Sequence, residues 1–192
     1  MYIFDFADLS TLTEENYRNF VSLYPERLQA FDESRLKKPI VMSVCGEMLA
    51  RRLITDFTGV KSFAIFRDKN GKPYVNLPGC YFNISHSGNF AVAVVADSPC
   101  GVDIEEIRPA TQRLIDRVCG EDEKIHLAKF DDPSEEFIRL WTVKESFLKM
   151  TGEGIGYGRE PRVVNENMPN CNFYAKQING SYKCTVCIGE NL

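Results

Sequence analysis

Asp97-Ser98-Pro99-Cys100-Gly101-Val102-Asp103-Ile104-Glu105 is the stretch on which the reading of the fold turns. Asp97-Ser98-Pro99 is a cluster of turn formers. From Gly101 onward, apolar and acidic side chains alternate with the period of a β-strand. The break therefore ends one unit, and the strand after it opens another.

Upstream, residues 2–6 read as a short strand, and Thr13-Glu14-Glu15 opens a helix that runs to about Leu23 before Pro25 interrupts it. Residues 43–55 form a second helix, with Val44, Met48, Leu49 and Leu53 spaced along one apolar face. Residues 63–66 and 74–77 read as short strands around an Asn70-Gly71 turn, and 82–85 and 90–95 as another pair turned at Ser87-Gly88-Asn89. Downstream, residues 111–118 are helical, residues 135–150 form the second strong helix, and Gly152, Gly154, Gly156 and Gly158 make a loop. Residues 162–188 read as strands separated by Pro169-Asn170 and Asn179-Gly180 turns. Strands followed by helices, twice over, predict an α+β protein of two similar halves, residues 1–98 and 99–192.

Composition bounds the function. The chain has 192 residues, 44% of them hydrophobic and thirteen of them Phe, enough for a substantial core. A net charge of −4 argues against a general nucleic-acid binder, which needs many phosphate-neutralising cations. Nothing approaches the roughly eighteen consecutive apolar residues of a membrane span, and the start does not read as a secretion signal, so a cytoplasmic protein is expected. The seven cysteines form no framework and read as small buried hydrophobes. Cys184 and Cys187 have CxxC spacing, but in a strand such positions point to opposite faces, which disfavours a zinc site.

Three stretches carry chemistry. In the strand of residues 101–105, Asp103 and Glu105 share a face about 7 Å apart, where two carboxylates can converge on one hard cation such as magnesium; a solvated acidic face is the alternative. In the helix Phe137-Ile138-Arg139-Leu140-Trp141-Thr142-Val143-Lys144-Glu145-Ser146-Phe147-Leu148-Lys149-Met150, apolar residues cover well over half the circumference, so it should be largely buried. Lys144 and Glu145 fall inside that apolar arc, beside Trp141 and Leu148, with Lys149 at its edge. Charges there need partners or a metal; an internal Glu145–Lys149 salt bridge with Lys144 snorkelling outward is the alternative. Asn83-Ile84-Ser85-His86-Ser87 gathers hydroxyls and an imidazole at a strand end, a corner suited to phosphate or simply a polar turn. Lys72, after the Gly71 turn, adds a cation. So do Arg27, Arg35, Lys37 and Lys38, unless they are ordinary surface charge.

Gly71-Lys72-Pro73, then residues 82–87, then residues 101–105, then Trp141-Thr142-Val143-Lys144-Glu145-Ser146-Phe147-Leu148-Lys149, resemble the ordered motifs of the Sfp-type 4′-phosphopantetheinyl transferases. Leu12-Thr13-Glu14-Glu15-Asn16, Pro25-Glu26-Arg27 and the closing Tyr182-Lys183-Cys184-Thr185-Val186-Cys187 resemble the same family, so the likeness spans nearly the whole chain. It implies a pseudo-two-fold monomer with coenzyme A between the halves. It also implies transfer of the 4′-phosphopantetheine arm to a serine of an apo acyl or peptidyl carrier protein, with release of adenosine 3′,5′-bisphosphate. On the matching positions, Asp103, Glu105 and Glu145 would hold Mg²⁺ with the coenzyme's pyrophosphate. Lys72, Ser85, His86 and Lys144 would bind phosphates, and Arg27 the 3′-phosphate. Lys149 would bind phosphate and stabilise the leaving group. Glu145, or else Glu123, would take the serine proton.

Some relatives carry a cation where this chain has Met42-Ser43-Val44-Cys45, and a second basic position falls on Ala30; Lys37 and Lys38 could compensate. The carrier is expected beside residues 107–120, against Leu114, Ile115 and Val118, with Lys37, Lys38, Arg51 or Arg52 steering an acidic partner. A non-catalytic carrier-binding module and a magnesium-dependent nucleotide hydrolase are the readings from other classes.

Overall fold

The computed structural model describes residues 1–23, 38–153 and 170–190. Its first half contains β1 (Tyr2–Asp8), α1 (Glu14–Leu23), α2 (Lys38–Thr58), β2 (Phe66–Arg67), β3 (Pro73–Tyr74), β4 (Tyr81–Ser87) and β5 (Phe90–Ala96). Its second contains β6 (Cys100–Glu106), α3 (Gln112–Val118), α4 (Glu121–Leu127), α5 (Ser134–Thr151), β7 (Cys171–Ala175) and β8 (Tyr182–Gly189).

Two antiparallel sheets dominate, ordered β1-β5-β4 and β6-β8-β7. Their connectivity is the same. In each, a first strand leads to a long helix, two more strands follow, and the last strand inserts between the other two. The apolar run of β5 explains why it takes the centre of its sheet, since both of its faces are buried. Ala93 and Val95 face Leu49, Ala50, Leu53 and Ile54 of α2, with Phe82 of β4 beside them. Val92, Val94 and Ala96 face the other way, onto Cys100, Val102 and Ile104 of β6 and Cys184 and Val186 of β8. β4 turns into β5 through Gly88 and Asn89, and Gly88 takes φ 58°, the positive value a two-residue hairpin asks of its first central residue.

A second, polar seam joins the halves. β4 and β6 are edge strands of different sheets, and an edge leaves backbone N–H groups unpaired. Alternate residues of β4 meet that need. Asn83 Oδ1 accepts the N–H of Val102 (3.0 Å), Ser85 Oγ that of Ile104 (3.4 Å) and Ser87 Oγ that of Glu106 (3.2 Å). Each such bond contributes about 1 kcal/mol net, against roughly 1.5–3 kcal/mol for each valine buried in the apolar seam. The apolar seam therefore holds the halves together, and the polar one sets how β4 lies along β6.

The expected α+β class stands, as do most elements, with differences at their ends. α2 starts earlier than expected, with Pro39 in a first turn where its missing N–H has no helical partner to lose. The strands expected at 63–66 and 74–77 shrink to two pairs because Asp68 organises the turn, its Oδ1 accepting the N–H groups of Asn70 (2.8 Å) and Lys72 (2.9 Å). α4 was not expected. Of the glycine loop and tail expected beyond Gly152, residues 154–169 lie outside the described residues. All seven cysteines are buried and unbridged. Among the described residues, no helix is long and apolar enough to cross a membrane.

Candidate active site

A missing side chain builds the site. A Cβ at Gly101 would lie 2.0 Å from the carbonyl oxygen of Ser146 and 2.5 Å from the backbone nitrogen of Met150, so only glycine lets α5 lie this close to β6. Gly101, Asp103 and Glu105 share one face of β6, and α5 presents Glu145 and Lys149 to it. The apolar arc expected on α5 is buried, Glu145 included at 8% exposure.

Asp103, Glu105, Trp141, Glu145 and Lys149, with Ile84, Ser85 and His86 from β4, line a cavity of about 240 Å³. Lys149 Nζ donates to Asp103 Oδ1 (2.6 Å) and to Ser85 Oγ (2.8 Å), while Ser85 donates its own proton to the same Oδ1 (2.9 Å). Ser87 donates to Glu105 Oε2 (3.0 Å), and Arg108 adds a longer bond to that oxygen (3.3 Å). Asp103 is 3% exposed, and its Oδ2 is buried with no hydrogen-bond partner. Burial pushes the Asp103 carboxyl above its ordinary value, against the pull of Lys149. Burial also raises Glu105, and the neighbouring charge of Asp103 adds to it.

Three carboxylates face one ammonium on this wall, and one buried carboxylate oxygen lacks a partner. These are hard oxygen donors, the chemistry that suits magnesium. Among the described residues, no three His, Cys, Asp or Glu side chains are placed so that they could hold a metal ion together. A cation on this wall would therefore need further ligands from water and substrate.

A second cavity, about 320 Å³, shares Ile84, Glu145 and Lys149 with the first and extends along Asn70, Gly71, Lys72 and Pro73. The β2–β3 loop reaches it by docking on the end of α5. Lys72 Nζ donates to the Met150 carbonyl (2.8 Å), and Asn70 Nδ2 to that of Gly152 (2.9 Å). Burial lowers the Lys72 ammonium below the ordinary lysine value. On the opposite side, Glu105 and Trp141 are shared with an apolar groove of about 310 Å³ lined by Pro109, Ala110, Leu114, Phe137 and Ile138. Three compartments therefore run in series past the carboxylates.

The expected site residues divide. Asp103, Glu105, Glu145, Lys149, Ser85 and His86 share one cavity, and Lys72 lines the next. Ser85 does not offer its proton to that cavity, because a hydroxyl has one and Asp103 takes it. Lys144 and Glu123 are not brought to either wall. Lys144, 2% exposed in its side chain, neither snorkels outward nor faces the cavity; its Nζ meets Glu123 Oε2 at 2.6 Å in the interior. Ile115 and Val118 are core residues, leaving Leu114 to face the groove. Arg51 binds Glu47 and Arg52 binds Asp5, which leaves these two poorly suited to steer a partner. Met42 is buried in α2. Arg27, Ala30, Arg35 and Lys37 lie outside the described residues.

Sequence reasoning passed over the part Ser87 plays in holding Glu105, and over Trp141 as the partition between cavity and groove. The Asn83-x-Ser85-x-Ser87 alternation was the available signal, since period-two polar residues on an edge strand must face something polar.

The profile of the 4′-phosphopantetheinyl transferase superfamily matches residues 99–191, and that of the 4′-phosphopantetheinyl transferase N-terminal part matches residues 13–98. The chain is 36% identical over 149 residues to 4′-phosphopantetheinyl transferase psf-1 of Bacillus pumilus, covering 75% of this chain and 63% of that protein. It is 29% identical to 4′-phosphopantetheinyl transferase gsp of Aneurinibacillus migulanus, covering 88% and 78% of the two chains. To 4′-phosphopantetheinyl transferase Sfp of Bacillus subtilis it is 27% identical, over 95% and 89%.

Proposed function

We propose a division of labour among the residues of this chain, which belongs to the 4′-phosphopantetheinyl transferase superfamily and, on this reading, moves the phosphopantetheine arm of coenzyme A onto a serine of an apo carrier protein. The observation that carries the reading is the cavity where Asp103 and Glu105 of β6 meet Glu145 and Lys149 of α5. A diphosphate is the substrate group that such a wall suits. It would complete the shell of a divalent ion and give Lys149 an anionic partner besides Asp103.

In this reading the coenzyme crosses the cavity with its diphosphate against the carboxylates. Its nucleotide end lies toward Lys72, and its pantetheine end toward Trp141 and the apolar groove. Asp103, Glu105 and Glu145 would hold Mg²⁺, whose chemistry when bound is to neutralise the diphosphate and polarise its oxygens. Ser85 and Ser87 keep the Asp103 and Glu105 carboxylates aimed by donating to them. The carrier serine oxygen attacks the phosphorus that bears pantetheine. The bond from that phosphorus to the bridging oxygen breaks, and adenosine 3′,5′-bisphosphate leaves with the electron pair. Glu145 receives the serine proton, directly or through water. Lys149 stabilises the charge on the leaving phosphate, since phosphoryl transfer depends chiefly on positioning and electrostatics. His86, exposed at the mouth, contributes a phosphate donor. The carrier lies along the groove that Leu114 and Trp141 border. The shared connectivity of the two main sheets supports a pseudo-two-fold relation between the halves, with this cleft between them.

Incubating the purified chain with coenzyme A, magnesium and an apo carrier should give a carrier heavier by one phosphopantetheine. A chelator should stop the reaction and added magnesium restore it. Release of adenosine 3′,5′-bisphosphate without any carrier would instead favour a hydrolase and overturn the reading.

A further inference from the structure

Glu123 and Lys144 lie in the interior of the second half, 0% and 2% exposed in their side chains. The ammonium of Lys144 has two acceptors from two other elements, Glu123 Oε2 of α4 at 2.6 Å and the Val118 carbonyl at the end of α3 at 2.8 Å. Glu123 also accepts the N–H of Gly120 (2.8 Å), the residue that caps α4, so one ion pair ties the α3–α4 corner to α5.

We infer that Glu123 and Lys144 are a positioning pair for the reaction, acting through Glu145 and Trp141 and touching no reactant; the inference rests on the transferase reading above. A buried ion pair contributes little or no stability beyond apolar residues of the same volume, so its effect here is directional. Apolar packing tolerates small slides and rotations, whereas an ammonium shared by two fixed acceptors does not. Lys144 immediately precedes Glu145, about 100° away around the helix. With Lys144 pinned toward α3 and α4, Glu145 is turned onto the cavity wall, and Trp141, one turn earlier, stands between cavity and groove. A rotation of α5 that brought Lys144 to a phosphate would carry Glu145 off that wall, so the two assignments exclude one another. The same pair fixes α3, which holds Leu114 at the groove's rim.

Three variants test this: Glu123→Leu, Lys144→Met and the two combined. Each single change strands one buried charge and should lower kcat by about tenfold or more, with the KM for coenzyme A within about threefold of the parent. The double variant strands none. It should melt above either single variant, recover most of the lost kcat, and keep the acidic limb of the parent's pH–rate profile. A double variant as inactive as Glu123→Leu alone overturns the inference, because removing Lys144 cannot replace a missing proton acceptor. A KM for coenzyme A that rises about tenfold in Lys144→Met with kcat unchanged overturns it too, since that marks a phosphate ligand.

An amine-acylating reagent on the unmutated chain gives a readout that needs no variant. Lys144 should stay unlabelled with and without coenzyme A, and labelling that coenzyme A suppresses would refute the pairing. Should the unmutated chain transfer nothing to any carrier, the transferase reading fails. The melting order and the labelling would still report on the pair itself.

Discussion

Asp103 Oδ2 is shielded from water, yet the protein partners of the carboxylate reach only Oδ1. A buried polar atom left in that state is destabilising, by roughly 1–3 kcal/mol for an unsatisfied acceptor. Asn at this position keeps an oxygen for Ser85 and Lys149 and removes the charge that burial disfavours. Asp103→Asn should therefore melt no lower than the parent without metal, yet transfer phosphopantetheine at least about 100-fold more slowly. Differential scanning calorimetry and the carrier mass shift measure the two halves of that statement. Near-parental transfer by Asp103→Asn would remove the carboxylate from the mechanism.

The contact between α5 and β6 depends on Gly101, and the atoms a methyl group would meet there are backbone, which cannot swing aside. Gly101→Ala should cost about 1–3 kcal/mol of stability by denaturant titration and should weaken transfer as α5 moves away from the carboxylates.

α4 is joined to α5 through Glu136, which accepts from Arg139 (2.8 Å) and lies 2.7 Å from Nε2 of His126. Burial alone would raise the Glu136 carboxyl, but the hydrogen bonds of Arg139 and His126 outweigh it and hold the group below its ordinary value of 4.5. A carboxyl lowered on folding stabilises fully above its unfolded value, and that stabilisation fades as pH falls through the folded value. Glu136→Gln should therefore lose about 1–2 kcal/mol at pH 7, a deficit that closes as unfolding is measured below pH 4.5. A deficit constant with pH would mean that the charge plays no part.

α3 presents Leu114, 36% exposed, at the rim of the apolar groove. Leu114→Asp should abolish transfer to the carrier while coenzyme A binding, followed by calorimetry, persists.

On the scale of the whole molecule, the cavity joins side chains of β4 in one half to side chains of β6 and α5 in the other. A single copy should therefore be active, and light scattering should find a monomer at concentrations where transfer is full. An activity that appears only with a dimer would show that the cleft is incomplete.

The sequence by itself determined the α+β class, most of the elements, and the pairing of Asp103 with Glu105 on one face of a strand, because periods of two and 3.6 residues are local consequences of backbone geometry. It also marked Lys144 and Glu145 as charges on a helix bound to be buried. α4 was legible and passed over, since Gly120 followed by Glu121-Asp122-Glu123 is the acidic first turn of a helix. Only the tertiary structure decided where the charges of α5 go: Lys144 inward to Glu123, Lys149 across to Asp103, and Glu145 onto the cavity wall. Helical periodicity assigns a residue to an arc, but a long side chain can reach several partners from the same arc. Which partner it finds depends on how closely helix and strand approach, and here that distance is set by the absence of a single Cβ at Gly101.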